Sequence, residues 1–292
     1  MATRGRTAAI TLLAVATMSC TRGATSRSPS PTAAPSRSPA ASPLRTPFSD
    51  PFDAARTYEA SSADDLAGRL TQAARVLEQR PGDAEAALIE EAAYRQLVRE
   101  PAWRETVYER LDDATMDRAR ANVRAGAELR AITPPRDDLP PWRIVAPPSA
   151  ERLLGAYRAA ERSLGVGWEY LAAVHLTETR MGRIRGVSTA GARGPMQFLP
   201  STWEAYGEGD IEDPEDAIMA AARYLASYGA PKDMRRALHA YNHSDHYVNA
   251  VEIYAEQMRA DPRRYESYHA WQVYYRTTTR GEALLYEGWP TR

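Results

Sequence analysis

Two proline-rich segments divide the 292-residue chain and limit what it can fold into. Residues 21–49 consist mostly of Ser, Pro, Thr, Ala and Arg and hold six prolines, and residues 133–148 hold six more. Because proline lacks a backbone donor and disfavours helix in the residue before it, both segments are expected to be extended. The sequence therefore predicts a tether at 21–49, a folded region at 50–148 that ends in a proline-rich connector, and a second folded region at 149–292.

The N-terminal residues have the pattern of an export signal. Arg4 and Arg6 precede an eleven-residue apolar run at residues 8–18, which is shorter than the roughly 20 residues that a membrane-spanning helix needs. The only cysteine, Cys20, follows at once, and this arrangement resembles the lipobox of bacterial lipoproteins. We predict that residues 1–20 are a signal peptide, that Cys20 is lipidated, and that the exported protein is anchored to the cell membrane. A plain signal peptide with an incidental cysteine is the alternative.

Charge and cysteine content argue against several functions. Residues 50–292 hold 31 basic and 38 acidic residues, a net charge of −7. Nucleic-acid binding needs a basic surface, so it is not expected. A single cysteine permits neither an internal disulfide nor a zinc site built from cysteines.

Helical spacing dominates the first folded region. Residues 65–80 place Leu66, Leu70 and Leu77 on one face, and residues 83–100 repeat this pattern. The charged residues are interpreted as solvent-exposed faces. Residues 50–148 are therefore predicted to be a helical accessory region followed by the connector.

The second folded region carries clear helix-end signals. Gly165 should end a helix at 150–164, while Asp213 and Ser244 should begin two further helices. Ser201 and Glu204 have the spacing of a capping box. Residues 273–278 and 282–286 flank an Arg-Gly pair, and the first of these runs is rich in β-branched and aromatic residues, which predicts a hairpin. The predicted fold class is mostly α with a small C-terminal β-hairpin.

Glu178 is the candidate acid of this region. It follows Leu171 by seven residues and Val174 by four, so a helix places all three on one apolar face. It also falls in the last turn of a helix at 167–181, where the partial negative charge of the helix end disfavours a carboxylate. Burial acts in the same direction. We expect a raised pKa, which suits a general acid.

A glycine-rich segment follows Glu178. Gly191 and Gly194 permit tight turns, and Gln197 offers an amide that can both donate to and accept from a sugar or its N-acetyl group. An ordinary loop leading into a helix is the alternative.

Glu178, the run from Ser188 to Gln197, and Ala240-Tyr241-Asn242 occur in an order that resembles the lytic transglycosylases of the soluble type. These enzymes share a lysozyme-like fold with goose-type lysozyme. The sequence motif GPMQFLPSTW is also similar to that of actinobacterial members and of the membrane-bound B-type relatives. The resemblance covers about residues 149–260.

The resemblance implies a lysozyme-like helical catalytic domain at 149–292 that acts on the glycan strands of peptidoglycan without a cofactor. Glu178 would be the sole catalytic acid and base, and the enzyme would face the cell wall from its membrane anchor. Thr179 and Pro195 stand where many members have Ser and Leu. The family further implies a saccharide groove that is lined by Gln197, Tyr241 and Asn242 and shaped by Ser188 and Met196.

One carboxylate suffices if the substrate supplies the nucleophile. Most glycosidases use two carboxylates, but the acetamido oxygen of N-acetylmuramic acid can replace the second. Glu178 would then protonate the leaving oxygen and accept the proton of the 6-hydroxyl, which gives a 1,6-anhydro end. If Asp210 or Asp213 holds a water instead, the enzyme is a lysozyme-type hydrolase.

A metal site and a function without catalysis are two further interpretations of the sequence. His239, His243 and His246 have a spacing that could suggest a metal, but residues 242–244 are expected to form a turn, which breaks a common face, so no metal site is predicted. A peptidoglycan-binding lipoprotein without catalysis is the rival function. The retained Glu178 argues against it.

Overall fold

The computed structural model describes residues 50–290, and within them the chain is mostly helical, as predicted. The signal peptide, Cys20 and the tether predicted at residues 1–49 lie outside the described residues. No helix between residues 50 and 290 is long and apolar enough to cross a membrane. The helices are α1 (Pro51–Thr57), α2 (Ala63–Gln79), α3 (Ala84–Arg99), α4 (Arg104–Tyr108), α5 (Asp113–Ile132), α6 (Ala150–Leu164), α7 (Trp168–Thr179), α8 (Pro200–Tyr206), α9 (Pro214–Ser227), α10 (Met234–Tyr241), α11 (Asp245–Ala260) and α12 (Arg264–Ala270).

Most helix ends coincide with local sequence signals. Gly165 follows α6 with a φ of 73°, a conformation that favours glycine. Asp213 caps α9 through its side chain, and Ser244 caps α11 in the same way. The predicted capping box at Ser201 is wrong: α8 already begins at Pro200, so Ser201 lies inside its first turn. Proline is well suited to this first position because it has no amide hydrogen to lose.

Two small antiparallel sheets complete the fold of residues 50–290. The predicted C-terminal hairpin is present as β3 (Val273–Thr277) and β4 (Gly281–Leu285), with Val273 opposite Leu285. The second sheet pairs β1 (Arg143–Ile144) with β2 (Ile184–Arg185). It joins the proline-rich connector to the segment after α7. Strands of two residues are too short to show an alternation of apolar and polar residues, so the sequence does not predict this pairing.

The central helix of the fold is α7. It packs against α6, α9, α11 and α12, and the small residues Ala172 and Ala173 let neighbouring helices approach closely. Helices α3 and α5 of the first folded region pack on each other, and α5 also packs on α11. Buried residues from both folded regions belong to one hydrophobic cluster. The first region therefore contributes directly to the surroundings of α7.

The charged residues of α3 are not all on a solvent-exposed face, so that sequence interpretation is wrong in part. Glu90 and Glu91 are only 4% and 1% exposed. The Tyr94 hydroxyl donates to Glu90, and the backbone amide of Gln272 donates to Glu91. A partner on the same helix therefore makes the burial of Glu90 possible, and a partner from a distant part of the chain does so for Glu91.

Candidate active site

Glu178 lies in the last turn of α7 with its side chain 4% exposed. Leu171 and Val174, on the same face, are fully buried, as the spacing predicts. After Thr179 the backbone leaves the helix through two residues with positive φ, Arg180 and Met181. The Thr179 hydroxyl donates to the carbonyl oxygen of Pro195 and accepts from the amide of Gly182. This junction holds the end of α7, and with it Glu178, against the glycine-rich segment.

The Glu178 carboxyl has one hydrogen-bond partner from another helix. The Tyr247 hydroxyl, on α11, donates to Glu178 Oε1 at 2.8 Å. Burial raises the pKa of Glu178 to about 8, against the smaller lowering effect of this hydrogen bond. The expectation of a raised pKa is confirmed. At neutral pH most of the Glu178 carboxyl is therefore protonated and able to donate.

The glycine-rich segment forms a closed turn beside the end of α7. Arg193 and Phe198 exchange two backbone hydrogen bonds of 2.9 Å. The backbone amide of Gln197 donates to the carbonyl oxygen of Gly194. Gly194 has a φ of 74°, and a Cβ there would lie 2.0 Å from the carbonyl oxygen of Ile211. Only glycine fits this position. Gly191, with a φ of 83°, has open space around it.

The side chains of this segment point into the protein. Ser188 Oγ accepts from the amide of Ala192. Gln197 Nε2 donates to the carbonyl oxygen of Gly194, and Gln197 Oε1 is buried without a hydrogen-bond partner among the described residues. Met196 is fully buried. These contacts explain the shape of the turn, and the contact of these residues with a saccharide stays a prediction.

Tyr241 connects α10 to the same turn. Its hydroxyl donates to the carbonyl oxygen of Met196 at 2.7 Å, and its ring is fully buried. Burial raises its pKa well above the usual value, with a further contribution from the nearby Glu178. Asn242 ends α10 and is 7% exposed. The structure thus brings Met196, Tyr241 and Glu178 together.

Glu178 is one of the residues that line a cavity of about 220 Å³. Its walls come from α3, α5, the proline-rich connector, the end of α7, α11 and the C-terminal hairpin. Glu91, Arg95 and Arg130 are among its lining residues, so the first folded region forms much of its surface. None of the five predicted saccharide-binding residues, Ser188, Met196, Gln197, Tyr241 and Asn242, is among them.

Asp210 and Asp213, the acidic residues proposed to hold a water, make other contacts. Asp210 Oδ1 accepts from the amide of Glu212. Asp213 caps α9 and lies 3.6 Å from Arg152. Neither lines the Glu178 cavity. Two other carboxyls line this cavity, those of Glu91 and Glu282. Glu91 Oε2 accepts from the backbone amide of Gln272 at 2.8 Å, and Glu91 Oε1 lies 3.5 Å from Arg180. Burial raises the pKa of Glu91.

The three histidines considered for metal binding do not converge. The rings of His239 and His243 lie 5.7 Å apart, while His246 pairs with Glu128 on α5. Between residues 50 and 290, no group of three His, Cys, Asp or Glu side chains is arranged to hold a metal ion.

Sequence reasoning missed Tyr247 and Glu91. Tyr247 lies four residues before Val251 and seven before Tyr254, so helical spacing already placed it on the buried face of α11. A hydroxyl on that face needs a partner, which was the available signal. Glu91 gave no comparable signal, because its partners are remote in the sequence.

Comparison with known proteins agrees with this geometry. Residues 155–261, which run from α6 to just after α11, match the family model described as Transglycosylase SLT domain. No curated protein and no solved structure matches the chain. The match covers Glu178, the turn at 188–198 and Tyr241-Asn242 in one segment. Residues 155–261, which are 107 of the 292 residues of the chain, are therefore similar to a transglycosylase SLT domain.

Proposed function

We propose that the protein cleaves the β-1,4 bond between N-acetylmuramic acid and N-acetylglucosamine without water and leaves 1,6-anhydromuramic ends. The observation that carries this proposal is the state of Glu178. It is a buried carboxyl with a pKa of about 8 that accepts a hydrogen bond from Tyr247, lines a cavity and lies near Tyr241 of the motif.

The raised pKa suits the first half of the reaction. The protonated Glu178 donates its proton to the glycosidic oxygen as the bond to C1 of the muramic residue breaks. The acetamido oxygen of the same sugar attacks C1 and compensates the positive charge that develops there. No second carboxylate is needed for this step.

The ionised Glu178 performs the second half. The Tyr247 hydroxyl stabilises the carboxylate through the hydrogen bond to Oε1. Glu178 accepts the proton of the 6-hydroxyl, O6 forms the bond to C1, and the acetamido oxygen leaves. Glu178 is protonated again, and the reaction consumes no water.

A lysozyme-type hydrolase is the second candidate because Glu91 lines the same cavity as Glu178 and its Oε1 accepts no hydrogen bond from residues 50–290. A water held by Glu91 could attack C1 in place of O6. Against this, Glu91 is 1% exposed and lies between Arg180 and the amide of Gln272. We therefore favour the non-hydrolytic reaction.

Product analysis tests the proposal. Purified protein is incubated with cell-wall sacculi, and the released muropeptides are weighed by mass spectrometry. Anhydro ends, lighter by one water than hydrolysed ends, should predominate for wild type and for Glu91→Gln, and Glu178→Gln should release none. Reducing muramic ends from wild type that disappear in Glu91→Gln would establish the hydrolase instead.

We further propose that the protein works at the outer face of the cell membrane, with lipidated Cys20 as its anchor. The support is the sequence pattern at residues 1–20. The tether at residues 21–49 would span about 30 Å as a flexible coil, which gives the catalytic domain reach into the wall.

A further inference from the structure

The wall of the Glu178 cavity carries arginines that the proposed reaction does not use. Arg95 comes from α3, Arg130 from α5 and Arg276 from β3, and all three line the cavity. Arg180, two residues after Glu178, also lines it. A neutral glycan strand offers no partner for this much positive charge.

The charges follow one another along α3. Arg180 lies 3.5 Å from Glu91, and Arg95 is one helical turn, about 6 Å, further along the helix. Arg95 pairs with Glu282 at 2.9 Å, and Arg130 reaches the same carboxylate at 3.2 Å. Three ion pairs and one turn of α3 therefore connect the end of α7 to Arg130.

Positive charge is in excess at the Arg130 end. Arg95, Arg99 and Arg130 all pair with Glu282, which is 5% exposed. Arg276 donates to the backbone carbonyl oxygens of Arg130 and of Thr133. Burial lowers the pKa of Arg276, and repulsion from Arg130 adds to this effect. Glu282 thus pairs with three guanidinium groups, of which Arg99 also pairs with Glu59, and a further anion would relieve the repulsion between Arg130 and Arg276.

Arg130 is placed to bind such an anion. Its side chain is 35% exposed, and one terminal nitrogen donates to Glu282. A guanidinium has five N–H donors, so binding Glu282 does not exhaust it. Arg276 lies beside it through the hydrogen bond to the Arg130 carbonyl oxygen.

The implied substrate carries anions close to its muramic acid. The peptide attached to the lactyl group of muramic acid ends in, and is substituted with, carboxylates, and two or three extended residues span about 7–11 Å. We propose that Arg130 and Arg276 bind a carboxylate of this stem peptide while the muramic residue lies at Glu178. This inference rests on the proposed function, and it makes the enzyme selective for glycan strands that still carry their peptides.

The test compares one variant on matched substrates. Arg130→Gln leaves Glu282 paired with Arg95 and Arg99, and its melting curve verifies the fold. Arg235→Gln is the control, because Arg235 pairs with Glu252 and does not line the cavity. The substrates are soluble glycan strands with intact peptides, with peptides whose carboxylates have been chemically amidated, and with the peptides removed.

Loss of one charge-assisted hydrogen bond should reduce kcat/KM for Arg130→Gln about tenfold or more on intact peptides. The loss on amidated or peptide-free strands should stay below about threefold. Arg130→Lys should recover much of the rate, since it restores the charge. An equal loss on all three substrates, or no loss on intact peptides, overturns the inference.

A binding experiment separates this inference from the proposed function. Sedimentation with insoluble peptide-bearing walls is measured for Arg130→Gln and Arg235→Gln, each in the Glu178→Gln background. Weaker sedimentation of the Arg130 variant alone, removed by amidation of the walls, supports the anion site. Equal sedimentation overturns it. A wild type that cleaves no wall overturns the proposed function, and the sedimentation result still decides the arginine site.

Discussion

Replacing Glu178 by Gln should abolish turnover and yet stabilise the folded protein at neutral pH. Gln has nearly the shape of Glu but can neither give nor take the proton. General acid–base catalysis contributes about 10²–10⁴-fold in rate, and Glu178 acts in both halves of the proposed reaction, so the loss should reach the top of this range.

The stabilising effect follows from the pKa of Glu178, which is about 8 in the folded protein against a reference value of 4.5. Above pH 4.5 the unfolded chain releases this proton and the folded chain keeps it, so the free energy of unfolding falls as the pH rises. The loss is about 1.4 kcal/mol per pH unit and stops above the folded pKa. At pH 7 it amounts to about 3 kcal/mol, and at pH 4 it is close to zero.

Urea unfolding of wild type and Glu178→Gln at pH 4 and pH 7 measures this effect. The difference in free energy of unfolding, variant minus wild type, should be about 3 kcal/mol larger at pH 7 than at pH 4. Packing differences caused by the amide act at both pH values and cancel. Glu204→Gln, at an exposed position on α8, is the control and should shift by less than about 0.5 kcal/mol.

Three results would refute this reasoning. Full activity of Glu178→Gln removes the residue from the mechanism. A stability difference that does not change with pH contradicts the raised pKa. An inactive variant that is less stable than wild type at pH 7 would mean that Glu178 has a structural role.

Three further predictions concern the surroundings of Glu178 and the N-terminus. Tyr247→Phe removes the donor to Glu178, so the pH above which kcat/KM falls should rise by about one to two units. A pH profile of kcat/KM whose alkaline limb does not move contradicts the role assigned to Tyr247. Gly194→Ala should lower the free energy of unfolding by at least about 3 kcal/mol, because its Cβ meets a backbone oxygen, whereas Gly191→Ala should cost only about 1–2 kcal/mol; equal losses in urea unfolding would show that the contact is unimportant. Cys20→Ala should move the protein from the membrane fraction to the soluble fraction without loss of activity, and a wild type that is soluble and carries no lipid contradicts the anchor.

Local signals predicted a large part of the fold. The αL glycine after α6 and the side-chain caps of α9 and α11 act within four residues, so a short window of sequence contains all the information they need. The hairpin at Val273–Thr277 and Gly281–Leu285 has the same local origin. The error at Ser201 is local too, since the preceding proline was the stronger start signal.

The composition of the cavity could not be predicted in this way. Tyr247 is 69 residues from Glu178, and the amide that binds Glu91 is 181 residues from it. Glu282 meets Arg130 across 152 residues. Such contacts depend on how α3, α5 and the hairpin pack around α7, and helical periodicity only indicates that a residue faces inward. Glu178 itself could be predicted from the sequence because its burial depends on the apolar face of its own helix.

Cleavage in water enriched in heavy oxygen tests most directly the claim that Glu178 works without a hydrolytic water. Wild-type protein is incubated with peptide-bearing glycan strands in this solvent, the ends are reduced at once to prevent exchange, and the products are analysed by mass spectrometry. If O6 of the substrate closes on C1, the new muramic ends contain no heavy oxygen and cannot be reduced. Reducible ends that contain one heavy oxygen each would show that water attacks C1, and the non-hydrolytic account would be wrong.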